Sequence, residues 1–437
     1  MLTSLLERAW TGGGGDPVAG QPPSGMSCHS LRLLLAVLTL AACSPAARQG
    51  QPAPSADQRI ILISLDGFRA DYLDRGLSPN LTALADRGVR ARWMTPAFPT
   101  LTFPNHYTIV TGLYPAHHGV IANTIRDAAL GLFRMSDSLA NRNQSWWGGE
   151  PIWATAEKQG RRAAAFFWPG SESGAGGVAA SRWLPFDDAF PDAARVDTVL
   201  AWASLPPGTA PAITTLYYSN VDHAGHDAGP DSPDVDSAIV QVDLMVGRLV
   251  SGLRNIGLLD RTNIIVVSDH GMAPRPATKL IVLDDIISLN DVNVVEWSPV
   301  GMLIPAPGRN DEVYQKLHVA SPHLKVYRRD EVPERFHFRD NARITPLVLV
   351  AEEGWSITSR SRVASWRAQG GGHGWDNALP SMRAIFVSAG PAFRTGVVVD
   401  PFQNIHVYSL MTHILGLKPA PNDGSLDSVR TMLRSMR

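Results

Sequence analysis

Six residues with the chemistry of metal ligands stand out along the chain: Asp66, Asp222, His226, Asp269, His270 and His373. Carboxylate oxygen and neutral imidazole nitrogen are the donors that zinc accepts. Singly, most have a plainer reading. Asp66 before Gly67 also reads as a helix cap or turn. Asp222 and His226 are spaced i, i+4 and so share one helix face, a spacing that also arises by chance. His373, within Gly370-Gly371-Gly372-His373-Gly374, also reads as an exposed loop histidine, although glycines let a backbone approach a ligand closely. Asp269-His270-Gly271 is the sharper signal, because a strand end has little structural use for both residues. Together, three Asp and three His suffice for two zinc ions with mixed oxygen and nitrogen ligands. His106, His117, His118 and His223 read as supporting or structural. Two hydroxyls, Thr100 and Thr102, sit in a proline-punctuated loop before a helix predicted to begin near Asn105. Either serves as a turn or cap, and either is placed for phosphoryl chemistry, since free N–H groups at a helix start favour anions.

The elements that must position these residues follow from the apolar pattern. Short β-branched runs at 60–64, 163–168, 212–219, 263–268 and 383–388 read as buried strands of a parallel sheet. Helical patterns at 78–88 and 237–257 lie between them. This alternation predicts an α/β domain with helices on both sheet faces. Three runs end in Asp66, in Asn220-Val221-Asp222 and in Asp269-His270, and ligands of open α/β sheets bind beyond the carboxyl ends of strands. The three acids are therefore expected at one sheet edge. Alternation breaks from about 275 to 370, which predicts an insertion or subdomain returning to the site at His373.

The 437 residues suit one large catalytic domain or two modest ones, and a net charge of −1 gives no basic footprint for a stable nucleic-acid partner. Residues 1–42 read as leader and signal peptide, with the apolar core LRLLLAVLTLAA at 31–42 too short to span a bilayer. Leu40-Ala41-Ala42-Cys43 resembles a bacterial lipobox, so Cys43 is the expected lipidation and membrane-attachment point of a periplasmic or outer-membrane lipoprotein; a plain secretory signal is the alternative, and either exports the domain. Residues 43–57 read as a Pro/Ala/Gln-rich tether and 58–437 as the catalytic domain. The only cysteines, Cys28 and Cys43, leave no thiolate ligands or disulfides for that domain.

The run TFPNHYTIVTGLYP (102–115) resembles the signature of the nucleotide pyrophosphatase/phosphodiesterase family, within the alkaline phosphatase superfamily, and is closest to its compact bacterial members. LDGFR (65–69), NVDHAGHDAGP (220–230), SDHGM (268–272) and GGHGWDN (371–377) agree in order, and the resemblance runs from about residue 59 to the C-terminus. It implies an alkaline-phosphatase-like α/β/α sandwich with a mostly parallel sheet. It implies Thr102, not Thr100, as nucleophile, and two Zn2+ per chain. One would be held by Asp66, Asp269, His270 and Thr102, the other by Asp222, His226 and His373. Asn123 matches the asparagine that hydrogen-bonds a phosphate oxygen. Phe103 and Trp168 match substrate-pocket positions. Phe186 falls where relatives often carry a base-stacking tyrosine, a departure that leaves base preference open. The implied activity is hydrolysis of small-molecule nucleotide diesters and pyrophosphates to nucleoside 5′-monophosphates through a nucleotidyl-threonine. Alternatives are an alkaline phosphomonoesterase, a phospholipid phosphodiesterase, or an exported scaffold with a dead site. No calcium site is carried over, because this chain lacks the cysteine-rich and nuclease-like modules of animal members.

Overall fold

A computed structural model describes residues 58–363 and 370–435. The signal segment, Cys43 and the tether lie outside the described residues. Eight strands form the central sheet: β1 (Arg59–Leu65), β2 (Val89–Ala91), β5 (Ala163–Phe166), β6 (Arg182–Leu184), β7 (Ile213–Tyr218), β8 (Thr262–Val267), β13 (Phe386–Ala389) and β14 (Val397–Val399), in the order β14-β2-β13-β8-β1-β7-β5-β6. A hairpin of β3 (Thr124–Asp127) and β4 (Gly131–Arg134) stands apart. Three short two-stranded pairs and a four-stranded sheet complete the strands of the described residues.

The centre of the sheet is buried on both faces, and the alternation of β1 shows how. Ile60 and Leu62 enter one apolar cluster, whereas Ile61, Ile63 and Leu65 enter the other. Helices α2 (Thr102–Thr111), α3 (Ile152–Lys158) and α8 (His406–Leu415) supply the first cluster. Helices α1 (Pro79–Asp86), α4 (Asp192–Ala203) and α6 (Pro233–Asn255) supply the second. The result is an α/β/α sandwich with a mostly parallel sheet. No helix among the described residues is long and apolar enough to cross a membrane.

Two expectations need correction. The run 383–388 was expected to lie parallel, but β13 is antiparallel to both β8 and β2. A parallel neighbour needs a crossover long enough to return the chain to the other end of the sheet. Here the chain already lies at the carboxyl edge at His373, so it enters β13 from that end. The predicted helix start near Asn105 falls three residues late. Leu101 is extended (φ −112°, ψ 154°) and α2 begins at Thr102. Pro104 is no obstacle there, since first-turn N–H groups have no intrahelical partner.

Within the predicted insertion, β9 (Val292–Glu296), β10 (Val300–Pro305), β11 (Leu324–Arg328) and β12 (Leu347–Ala351) make an antiparallel sheet in the order β9-β10-β12-β11. Helix α7 (Asn310–His318) covers it, and Leu303, Val313, Leu317 and Leu349 build a core of its own. The β9–β10 register slips by one residue: Val294 opposes Leu303, but Glu296 opposes Met302.

Candidate metal centre and substrate pocket

Asp66 follows β1, Asp269 follows β8, and Asp222 lies in the first turn of α5 (Asn220–Ala228), which follows β7. Because β7, β1 and β8 are adjacent and parallel, their carboxyl ends bring the three acids together. Asp66 must turn tightly against Asp222. Gly67 makes this possible: its φ is +68°, and a Cβ there would lie 2.9 Å from the Asp222 Cα.

The histidines arrive from three directions and are oriented alike. His226 Nδ1 donates to the Gly371 carbonyl (3.1 Å), His270 Nδ1 to Gly271 (2.9 Å) and His373 Nδ1 to Thr100 (2.8 Å). Each ring therefore turns Nε2 inward, the arrangement in which a second hydrogen bond fixes tautomer and ring plane for a metal. His226 Nε2 lies 3.1 Å from His373 Nε2, and these are 3.4 and 3.6 Å from Asp222 Oδ1. His270 Nε2 lies 3.0 Å from Asp269 Oδ2, 3.6 Å from Asp66 Oδ1 and 3.3 Å from Thr102 Oγ1.

Carboxylate geometry fits cations at the same place. Asp66 Oδ2 accepts the Tyr217 hydroxyl (2.7 Å), and Asp269 Oδ1 accepts the Gly67 N–H (3.2 Å). The inward oxygens, Asp66 Oδ1, Asp222 Oδ1 and Asp269 Oδ2, are buried without a hydrogen-bond donor. Burial, then the charges of Asp269 and Asp222, push the Asp66 carboxyl well above its usual range. Burial acts on Asp269 in the same sense, but His270 and His106 outweigh it and hold that carboxyl well below its usual range. Three buried acids this close repel one another unless positive charge sits between them. His373 is pushed well down by burial, then by His270 and His226, which keeps the ring in its neutral, ligating form. Donor atoms of Asp222, His226 and His373 fall within 4.8 Å of one another, as do those of Asp66, Asp222 and His270. The residues present therefore fit bound divalent cations.

A third such group, Asp66, His106 and Asp269, has a different character. His106 Nδ1 meets the Thr102 carbonyl (2.9 Å) and Asp269 Oδ2 (3.3 Å), and its Nε2 meets Ser64 Oγ (2.8 Å). Both ring nitrogens are engaged with Thr102 and Ser64, so neither is free to ligate a cation.

The two candidate hydroxyls separate cleanly. Thr100 Oγ1 donates to the Trp375 carbonyl (3.0 Å) and accepts the Gly374 N–H (2.9 Å), which ties the loop to the glycine-rich segment. Thr102 Oγ1 faces His270 from the first turn of α2. Asn105 explains the punctuation around it, since its amide donates to the Pro99 and Leu101 carbonyls and accepts the Ala97 N–H. Asn123 Oδ1 accepts the Phe103 N–H (3.1 Å), so its amide nitrogen is the group left to donate.

Beside Thr102 opens a cavity of about 230 Å3 lined by Asp66, Phe103, Trp168, Phe186 and Asp222 among others. Phe186 is half exposed at its rim. Trp168 is almost wholly buried, and its indole N–H is committed to the His106 carbonyl (3.0 Å). Tyr217, which orients Asp66, carried no signal in the sequence, where it is one aromatic in a strand. Glu172 also lines the cavity and accepts the Phe186 N–H (2.9 Å).

Comparison with known proteins gives the family and the fold. Residues 60–376 match the family described as type I phosphodiesterase / nucleotide pyrophosphatase. The mouse bis(5′-adenosyl)-triphosphatase enpp4 is 38% identical over 390 residues, covering 88% of this chain and 83% of that protein. Human ectonucleotide pyrophosphatase/phosphodiesterase family member 7 is 37% identical, covering 92% and 90%. The murine ectonucleotide pyrophosphatase/phosphodiesterase 5, solved as an inactive threonine-to-alanine variant in complex with AMP, superposes with a TM-score of 0.82 at 35% identity, covering 86% of this chain and 100% of that one. The fold is thus the alkaline-phosphatase-like one. On sequence, fold and site together, this chain belongs to the type I phosphodiesterase / nucleotide pyrophosphatase family of hydrolases.

Proposed function

We propose that the protein is a zinc-dependent enzyme that hydrolyses small-molecule nucleotide diesters and pyrophosphates to nucleoside 5′-monophosphates, with Thr102 as nucleophile. The carrying observation is the convergence of three inward Nε2 atoms and three donorless carboxylate oxygens beside the Thr102 hydroxyl. Asp66, Asp269, His270 and Thr102 would hold one zinc, and Asp222, His226 and His373 the other. Zinc bound there supplies Lewis-acid charge that makes a hydroxyl or water nucleophilic near neutral pH and stabilises phosphoryl oxygens. Thr102 Oγ attacks phosphorus in line, the P–O bond to the leaving group breaks, and a nucleotidyl-Thr102 forms. Asn123 donates its amide to a non-bridging oxygen. Phe103 and Phe186 offer aromatic faces to the base at the cavity rim. Water then cleaves the Thr102–phosphorus ester, releasing the nucleoside 5′-monophosphate and restoring the hydroxyl. Export, and attachment through a lipidated Cys43, complete the proposal on the strength of the N-terminal sequence alone.

The test is hydrolysis of p-nitrophenyl thymidine 5′-monophosphate beside p-nitrophenyl phosphate, with chelation and zinc add-back, on wild type and Thr102→Ala. The expected result is zinc-restored diesterase activity well above monoesterase and absent from the variant. Dominant monoesterase activity would replace this reading with a phosphatase, and an active Thr102→Ala enzyme would remove the nucleophile assignment.

A further inference from the structure

The insertion meets the catalytic apparatus beside Asn123, and a fault in strand pairing makes that contact. In a regular β9, Glu296 would share a face with Val292 and Val294, which pack on the insertion's own core. The register slip after Val294 sets Glu296 opposite Met302 instead of one residue further along β10. Directly opposed residues in an antiparallel pair point to the same face. Met302 and the slipped residue Val295 both belong to the large cluster that includes Ile125 and Phe133 of the β3–β4 hairpin. The bulge thus turns a carboxylate away from the insertion's apolar core and toward that hairpin, the re-aiming for which bulges recur beside active sites.

What Glu296 meets there is the strand that follows Asn123. Its Oε2 accepts the Thr124 N–H (2.9 Å), and its Oε1 accepts the Trp297 N–H (3.0 Å). Across the same peptide unit, the Asn123 carbonyl accepts the Met135 N–H (2.9 Å), and the Asn123 Oδ1 accepts the Phe103 N–H in the first turn of α2 (3.1 Å). The Asn123–Thr124 peptide unit is therefore held at both its N–H and its C=O, and one end of the Asn123 amide is fixed. We infer that Glu296, turned out of the inserted sheet by the bulge in β9, is a positioning residue for the Asn123 amide. The inserted sheet is then a working part of the phosphate-binding apparatus. Burial raises the Glu296 carboxyl above its ordinary value, against the hydrogen bonds that Trp297 and Thr124 donate to it, consistent with a partly buried acid retained for its acceptors.

This inference rests on the proposed phosphate role of Asn123, so the test reads the two residues as a pair. In Glu296→Gln the side chain keeps its shape but has one acceptor for two backbone donors. The experiment measures kcat/KM for p-nitrophenyl thymidine 5′-monophosphate on zinc-loaded wild type, E296Q, N123A and the double variant, with melting temperatures for each. Expected is a loss of about tenfold for E296Q in the wild-type background and less than about twofold in the N123A background, the non-additivity of residues acting through one contact. Equal losses in both backgrounds, or no loss for E296Q alone, would overturn the inference. Should E296Q fail to fold, Glu296→Asp, too short to hold both donors, enters the same cycle. AMP affinity of the same set in a Thr102→Ala background, measured by calorimetry, reads the pair without turnover. A protein without diesterase activity but with the same coupling in AMP binding would sink the proposed reaction and leave the Glu296 assignment standing.

Discussion

Two orienting contacts decide how well Asp66 and Asp269 present their inward oxygens, and neither partner is itself placed to bind a metal through that contact. The Tyr217 hydroxyl holds Asp66 Oδ2, and the Gly67 N–H holds Asp269 Oδ1. Tyr217→Phe removes the first and leaves the ring in place. Loss of such a supporting bond weakens metal binding by roughly 10–100-fold. Competition with a zinc-sensitive chelator should show weakened affinity confined to the cation that Asp66 serves. A variant with wild-type affinity would mean that Asp66 holds its geometry without help. These supports mark the limit of what residue types disclose. Asp269-His270 was legible because two polar groups ended an apolar strand. Tyr217 was not, because an aromatic in a buried strand is ordinary packing until its hydroxyl is located. Thr100 and Thr102 were alike in the sequence, and only the bonds of Thr100 to Trp375 and Gly374 set them apart.

At the scale of elements, periodicity located the parallel core strands, the short α1 and most of the long α6, because each buries a regular apolar pattern. It failed at β13, whose direction depends on where the chain stands when it leaves the glycine-rich loop. It failed again at the start of α2, where a proline in the first turn looks like a breaker and is not one. The β9 bulge was invisible for the same kind of reason, since it exists only against a partner strand. One junction between elements is open to test. Gly67→Ala forces a left-handed conformation on a residue with a Cβ and drives that Cβ into the backbone of α5. Strain of this kind costs about 1–3 kcal/mol. The expected phenotype is a lower melting temperature together with loss of bound zinc, as the Asp66 and Asp222 sides of the site are pushed apart. Full zinc content, determined by elemental analysis of the purified variant, would show that the turn relaxes without moving the acids.

On the scale of the molecule, acid should loosen the layer that carries α2. His118 is buried beneath that helix, where its Nδ1 accepts the Val120 N–H (3.1 Å) and its other nitrogen meets Thr108 Oγ1 (3.0 Å). Burial pushes its pKa down to about 3. The unfolded chain, with an ordinary histidine near 6.5, takes up a proton that the folded one refuses. The contribution is therefore fully present above about pH 6.5 and is lost as pH falls toward 3, by about 1.4 kcal/mol per pH unit. Urea unfolding across this range should be shallower in its pH dependence for His118→Asn by one proton; identical slopes would show that His118 titrates normally. The three candidate ligand histidines follow another logic. All three Nδ1 atoms rest on main-chain carbonyls, of Gly371, Gly271 and Thr100. Two of those carbonyls belong to glycines that have no room for a side chain: a Cβ would lie 2.6 Å from the Gly225 carbonyl oxygen at Gly371 and 2.1 Å from the Ser381 carbonyl oxygen at Gly271. Chain length is held as tightly: one residue gained or lost between Gly370 and His373 would unseat two of the three rings at once, making the centre intolerant of spelling and of spacing alike.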